Sequence, residues 1–418
     1  MLTDNTFIHT FTWVDPMKFR ISLFACGISV LLVTLIIAIS LFILKNDQNI
    51  KAPKPELPKK SSWTIMLYMS GDNDLEEYIV KDIEHELAKT GSSKSIQVVA
   101  LADRGPGYDQ SRDDWQSTKL FHIENGMLAD SKSAIADWGE RNMGDKNTLI
   151  DFVTWSKNRY PAEHYALYFW GHGWNWHPGY VMEDDTDKDS LDMDELRQAL
   201  PSIGFIDLVG YDGCNMASLE VDAMWHGHAT AVTSSQEFVD WSGIDYSKII
   251  EALTLYPDMT ADQLAIASSR SASDEKTWFA VAVDDRIIPL FVSLNDLFSY
   301  MHSNLTNRFR AYKTAFGKAK GFTDAPLDKD LYDLVDNISH ATDDISLKAK
   351  SNAVMNAVKQ SVLDEHHAIE YKRAHGITIS TFDGNKEYDS DFKYYSTIGF
   401  PNMNSWVDFL NSYKAQYH

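Results

Sequence analysis

The chain has 418 residues, 44% of them apolar and 12% aromatic, which is enough to bury a large core and too apolar for a disordered chain. Its formal net charge of -22 argues against a phosphate-backbone partner, which requires clustered Lys and Arg, so no nucleic acid is expected. Of its two cysteines, Cys26 lies in a long apolar run and Cys214 in the globular part, so the globular part has no internal disulfide.

The N-terminal tail, residues 1–20, ends in Met17-Lys18-Phe19-Arg20. It is followed by Ile21 to Leu44, which carries no charged residue. As a helix this run spans about 36 Å, enough to cross a hydrocarbon layer of roughly 30 Å. It has no polar face and no small-residue cleavage site, so the reading is a single-pass transmembrane anchor and not a core helix or a removed signal. The bilayer is then a partner through residues 21–44. Basic residues flank both sides, with Lys45, Lys51, Lys54, Lys59 and Lys60 on the far one. The favoured orientation exports the bulk of the chain and makes the globular part extracytoplasmic. Residues 45–62 form a Pro- and Lys-rich linker that should be extended and solvated.

From Trp63 onward, short apolar runs alternate with amphipathic segments, the pattern of an α/β fold with a mainly parallel sheet. Strands are expected at 63–70, 96–103, 118–123, 164–170, 206–212, 229–238 and 278–285. Helices are expected at 75–90, 147–160, 216–225 and 246–256. Beyond Ile287 the character becomes helical, over 287–316, 331–342 and 346–368, with a late strand at 376–382 and a terminal helix at 404–416. The predicted division is a strand-rich domain over 63–286 and a mostly helical region over 287–418.

The runs "HYALYFW" (164–170) and "IDLVGYD" (206–212) are dense in apolar residues, as central strands buried on both faces should be. The first ends in Gly171-His172-Gly173 and the second in Gly213-Cys214. In open α/β sheets the working surface lies at the carboxyl ends of the strands. If the two strands are neighbours, an imidazole and a thiol face each other there. A helix opening near Met216 would place Cys214 at its positive end and lower the thiol's pKa. A thiolate, a base and the backbone N–H groups of Gly173 and Cys214 make an acyl-transfer constellation.

The pairing of "FWGHG" with "YDGCNMASLE" resembles the clostripain-like cysteine peptidases, relatives of caspases, legumains and gingipains. "YMSGDNDLE" (68–76) resembles that family's first strand and turn, and "EDDTDKDSLDMDEL" (183–196) its acidic segment. "SSQEFVDWSGIDYSKI" resembles its block after the Cys, and "AHGITIST" its late strand. The resemblance implies a caspase-like αβα sandwich, a His-Cys dyad and endopeptidase cleavage of protein or peptide substrates after Arg or Lys, with no cofactor. By position it makes His172 the general acid/base, Cys214 the nucleophile and Gly173 an oxyanion donor. Asp212 becomes an S1 acid. A second S1 acid is ambiguous among Glu237, Asp240 and Asp245. Self-processing at Lys188 is a further implication.

The rival from another class is a catalytically silent caspase-like binding or scaffold module tethered to the membrane. Asp185, Asp187 and Asp189 have an EF-hand-like spacing, but Ser190 and Leu196 stand where such a loop needs Gly and Glu. A solvated acidic loop is therefore expected and no metal site, with weak calcium binding as the rival.

Overall fold

The computed structural model describes residues 60–179, 181–272, 276–323, 325–382 and 389–417. The tail, the expected anchor at 21–44 and nearly all of the linker lie outside the described residues. Among the described residues no helix is long and apolar enough to cross a membrane.

The strands are β1 (Ser61–Gly71), β2 (Ile96–Arg104), β3 (Thr118–His122), β4 (Ala136–Asp137), β5 (Ala162–Trp170), β6 (Ile206–Asp212), β7 (Ala229–Ser235), β8 (Thr277–Ala282), β9 (Gly321–Phe322), β10 (Ala325–Asp330), β11 (Val362–His367) and β12 (Thr378–Ser380). A nine-stranded sheet runs β11-β8-β7-β6-β5-β1-β2-β3-β4, and β12-β10-β9 form a small second sheet. The five central strands, β7 to β2, pair in parallel, while both edges are antiparallel. The sheet is thus mixed, with its parallel part confined to the centre.

The period-2 alternation of the strands feeds two cores. From β1, Met66 and Tyr68 pack on one face with Leu149, Phe152 and Leu196, while Ile65, Leu67 and Met69 pack on the other with Ile79, Ile83 and Ile249. Helices therefore cover both faces in three layers. Their starts follow from the local sequence. Asp145 accepts from Asn147 N to cap the helix Lys146–Arg159, and Asp192 with Glu195 forms a capping box for Met193–Ile203.

Three expectations change. The segment 346–368 is a helix only over Ile345–Ser361; its end, Val362–His367, is β11, an antiparallel edge strand on β8. Residues on either side of position 286 therefore share one sheet, and 60–418 forms one compact unit. The expected helix over 287–316 breaks at Asn304 into Ile288–Ser303 and Leu305–Lys318. The helix after Cys214 begins at Leu219, capped by the Ser218 side chain, so the cysteine does not sit at its N-terminus.

Candidate active site

β5 and β6 are adjacent and parallel, and their register places Trp170 opposite Asp212. The ladder closes with Gly171 N donating to the Asp212 carbonyl at 3.2 Å. His172 and Cys214, each two residues beyond that pair, therefore emerge side by side at the carboxyl edge of the sheet. The tips pack backbone on backbone. A Cβ on Gly213 would lie 2.9 Å from the Gly171 carbonyl oxygen, and one on Gly173 would lie 2.9 Å from the Cys214 carbonyl oxygen. Only glycine permits that approach. Among the described residues neither the Gly173 nor the Cys214 N–H donates a hydrogen bond.

Both side chains line one cleft of about 290 Å³, together with Leu75, Tyr78, Trp170, Asp212, Phe238, Asp240 and Trp241. Tyr78 stacks on Trp241 at 5.4 Å between ring centroids and forms an aromatic wall that sequence reading did not find. Trp241 itself is 58% exposed. Its signal was present: a lone exposed Trp in the block after the Cys.

Cys214 is half-buried and free, and Val239 N donates to its Sγ at 3.4 Å. Burial pushes the thiol's pKa up, against the lowering by that N–H and by the Lys276 charge; Asp212 and Glu237 add to the rise. This reverses the expectation of a helix-lowered thiol, because the helix starts too late to act on it. His172 donates from Nε2 to Asp74 Oδ1 at 2.7 Å, since an ionised carboxylate can only accept.

The sequence-named acids separate. Asp212 is buried and lines the cleft floor, accepting from Ile244 N at 3.1 Å and from the Tyr246 hydroxyl at 2.9 Å. Gly243, at φ +48°, gives it room, since a Cβ there would lie 2.4 Å from Asp212 Oδ1. Asp240 also lines the cleft and is ion-paired to Lys276. Asp245 is not among the lining residues; it caps the helix Tyr246–Leu255 through Ser247 N. Glu237 is buried against Thr323, accepting from its N–H and its hydroxyl.

Behind the floor lie two acids not singled out by sequence reading. Asp82 accepts from Trp170 Nε1 at 2.6 Å, and burial, then Glu86 and Asp212, raise it well above the carboxylate range. Glu86 accepts from Tyr246 N and is raised to about 8, chiefly by burial. Both sit on the segment 76–90, where helical spacing alone gave no hint that they face Asp212.

The EF-hand-like triple does not converge: Asp185 takes the Tyr108 hydroxyl and Asp189 takes Asn142 Nδ2. Instead, Asp72, Asp103, Glu140 and Asp184 bring one carboxylate oxygen each within 4.8 Å of one another. These acids come from four separate segments, which no local spacing could reveal.

A family model described as the clostripain family matches residues 67–413. Clostripain of Hathewaya histolytica is 27% identical over 240 residues, covering 50% of this chain and 45% of that protein, so the match spans less than half the relative's length. Among solved structures, a secreted C11 cysteine protease from Bacteroides thetaiotaomicron, in complex with an irreversible peptide inhibitor, is similar with a TM-score of 0.62. It is 16% identical, over 82% of this chain and 99% of that one. An inactive zymogen C11 protease from Parabacteroides distasonis has a TM-score of 0.63 at 17% identity, over 84% and 99%. At these identities the two structures speak to the fold.

Proposed function

The chain belongs to the clostripain family and is a cysteine peptidase, and from that premise we propose an endopeptidase that uses Cys214 and His172 to cut after Arg or Lys. The observation that carries this reading is the Trp170–Asp212 register, which sets the two tips beside each other over one cleft. The Cys214 proton passes to His172 Nδ1, and the sulfur lone pair attacks the scissile carbonyl carbon. The free N–H groups of Gly173 and Cys214 receive the oxyanion. The C–N bond breaks as His172 returns the proton to the leaving amine, and water then releases the acyl group.

The P1 preference rests on charge. A long cationic side chain entering past the Tyr78–Trp241 wall meets Asp212, a buried carboxylate held at the floor by Ile244 N and the Tyr246 hydroxyl. Aromatic faces also favour a guanidinium or ammonium. Asp240, engaged by Lys276, is the second acid in reach. The hydrophobic run 21–44 supports a tether to the bilayer with the catalytic part exported, which a reporter fused at His418 tests. The silent-module alternative loses ground because both the nucleophile and the base positions are filled.

A hard divalent cation such as calcium fits the four-acid group, where Asp103 Oδ2 is buried with no hydrogen-bond partner among the described residues. It would tie the loop after β1 to the segment around Asp184. The test of the main reading is a P1-scanning peptide library on the wild-type chain and on Cys214→Ala. Cleavage confined to Arg or Lys at P1, and absent in the variant, supports it. A variant that still cleaves ends it.

A further inference from the structure

The proposed dyad leaves one question of geometry: what sets the direction in which the His172 ring faces. His172 follows a glycine, is followed by another, and its side chain is 31% exposed, so the loop alone gives it little restraint. The ring's one hydrogen bond among the described residues is Nε2–H to Asp74 Oδ1 at 2.7 Å. That bond fixes the tautomer, leaving Nδ1 with its lone pair free on the opposite side of the ring.

The Asp74 side chain is 57% exposed, and what gives it a direction is the anchoring of the residues around it. It sits on the loop after β1, the strand that pairs with β5. Asn73 Nδ2 donates to the Ser70 and Glu183 carbonyls at 3.2 and 2.9 Å, and Leu75 N donates to Asn73 Oδ1 at 2.9 Å. Asp185 N and Thr186 N donate to the Asp72 carbonyl and carboxylate at 2.9 and 3.0 Å. The same segment reaches His172, because Met182 N donates to the His172 carbonyl at 3.2 Å. One short stretch, 182–186, thus bonds both the His172 backbone and the two residues that precede Asp74.

We propose that Asp74 is a positioning residue for His172: its carboxylate turns Nδ1 toward the nucleophile and offsets the charge the ring gains on taking the thiol proton. In that step the S–H bond breaks, the N–H bond forms at Nδ1, and the sulfur keeps the electron pair. The requirement is sharp here because burial of Cys214 disfavours the thiolate, so the ion pair needs a countercharge from the other side of the ring. Glu183 is also in electrostatic reach of His172, and Asp185 accepts from the Tyr108 hydroxyl. Glu183 makes no direct bond to the ring and serves as the control.

This inference rests on the His-Cys reading, and the experiment separates the two. In the full-length chain, Asp74→Asn, Asp74→Ala, Asp74→Glu and Glu183→Gln are compared with wild type and with Cys214→Ala. The readouts are kcat and KM on an Arg-containing fluorogenic peptide, and the pH profile of Cys214 carbamidomethylation by iodoacetamide, resolved from Cys26 by mass spectrometry. Asp74→Asn and Asp74→Ala are expected to lower kcat roughly 10- to 100-fold with KM within about twofold. They should also move the Cys214 labelling profile upward by about one pH unit. Asp74→Glu should recover part of kcat, and Glu183→Gln should stay near wild type. Unchanged kcat with a superposable labelling profile overturns the proposal, as does a loss confined to KM. If Asp74→Ala unfolds, the near-isosteric Asp74→Asn decides. Residual activity in Cys214→Ala would instead overturn the His-Cys reading itself.

Discussion

The tips of β5 and β6 leave the same sheet edge from neighbouring strands, yet their surroundings differ. The β5 tip holds His172 on a partly exposed loop, with one carboxylate as the ring's hydrogen-bond partner among the described residues. The β6 tip holds Cys214 half-buried beneath Val239, where burial first, and then Asp212 and Glu237, push its proton affinity up. The contrast teaches that the thiol is not activated by its own environment. On the proposed His-Cys reading, activation comes across the gap from the imidazole, so anything that changes the approach of the two tips should cost rate before it costs fold.

The sharpest way to break the comparison is to remove either partner. Cys214→Ala or His172→Ala should lower kcat/KM at least about 10³-fold while leaving the melting temperature within a few degrees. Steady-state kinetics and calorimetry on the same preparations check this. Spreading the tips comes next. Gly213→Val puts a branched side chain where even a Cβ lies 2.9 Å from Gly171 O. About a 100-fold loss in kcat is expected, since a misplacement near 1 Å is enough for that. A variant at wild-type rate would show that the close approach is not needed.

Asp212→Asn tests the floor while leaving the backbone of both tips in place. KM for Arg and Lys peptides should rise about 10-fold, with kcat for a peptide carrying a neutral P1 residue little changed. A uniform loss for all substrates would place Asp212 in a role other than specificity. A smaller effect sits in the acids behind the floor. Glu86 has its folded pKa raised from 4.5 to about 8. Its protonated form is favoured by folding, so its contribution is full below the unfolded value and is lost as pH rises toward 8. The melting temperature should fall between pH 5 and pH 8, and Glu86→Gln should flatten that fall by a few degrees. The smallest expected change is a rise of a few degrees in melting temperature on adding calcium, reversed by chelation and absent in Asp103→Asn.

Much of the central sheet was readable from sequence, because β5, β6 and the strands around them are apolar runs too dense for anything but a doubly covered sheet. The placement of His172 and Cys214 at one sheet edge is legible for the same reason: each stands at the end of such a run beside a glycine. What stayed hidden depends on partners distant in the chain. Val362–His367 looks helical because it continues the pattern of Ile345–Ser361, and only pairing with β8 makes it a strand. Asp74, Asp82 and Glu86 are ordinary solvated acids by local pattern, and become site residues through neighbours far away in the sequence. The helix start was misjudged because Asn215 to Ala217 share the composition of the helix that follows, whereas Ser218 supplies the cap.

The acidic stretch between the tips is closed on itself by the Asp184–Asp189 bridge, with Lys188 exposed between its ends. A chain cut after Lys188 therefore keeps each new end stitched in place, and the β5–β6 ladder spans the break. Such a protein would run as two bands on a denaturing gel and elute as one species from a sizing column, its two fragments separable only by unfolding them.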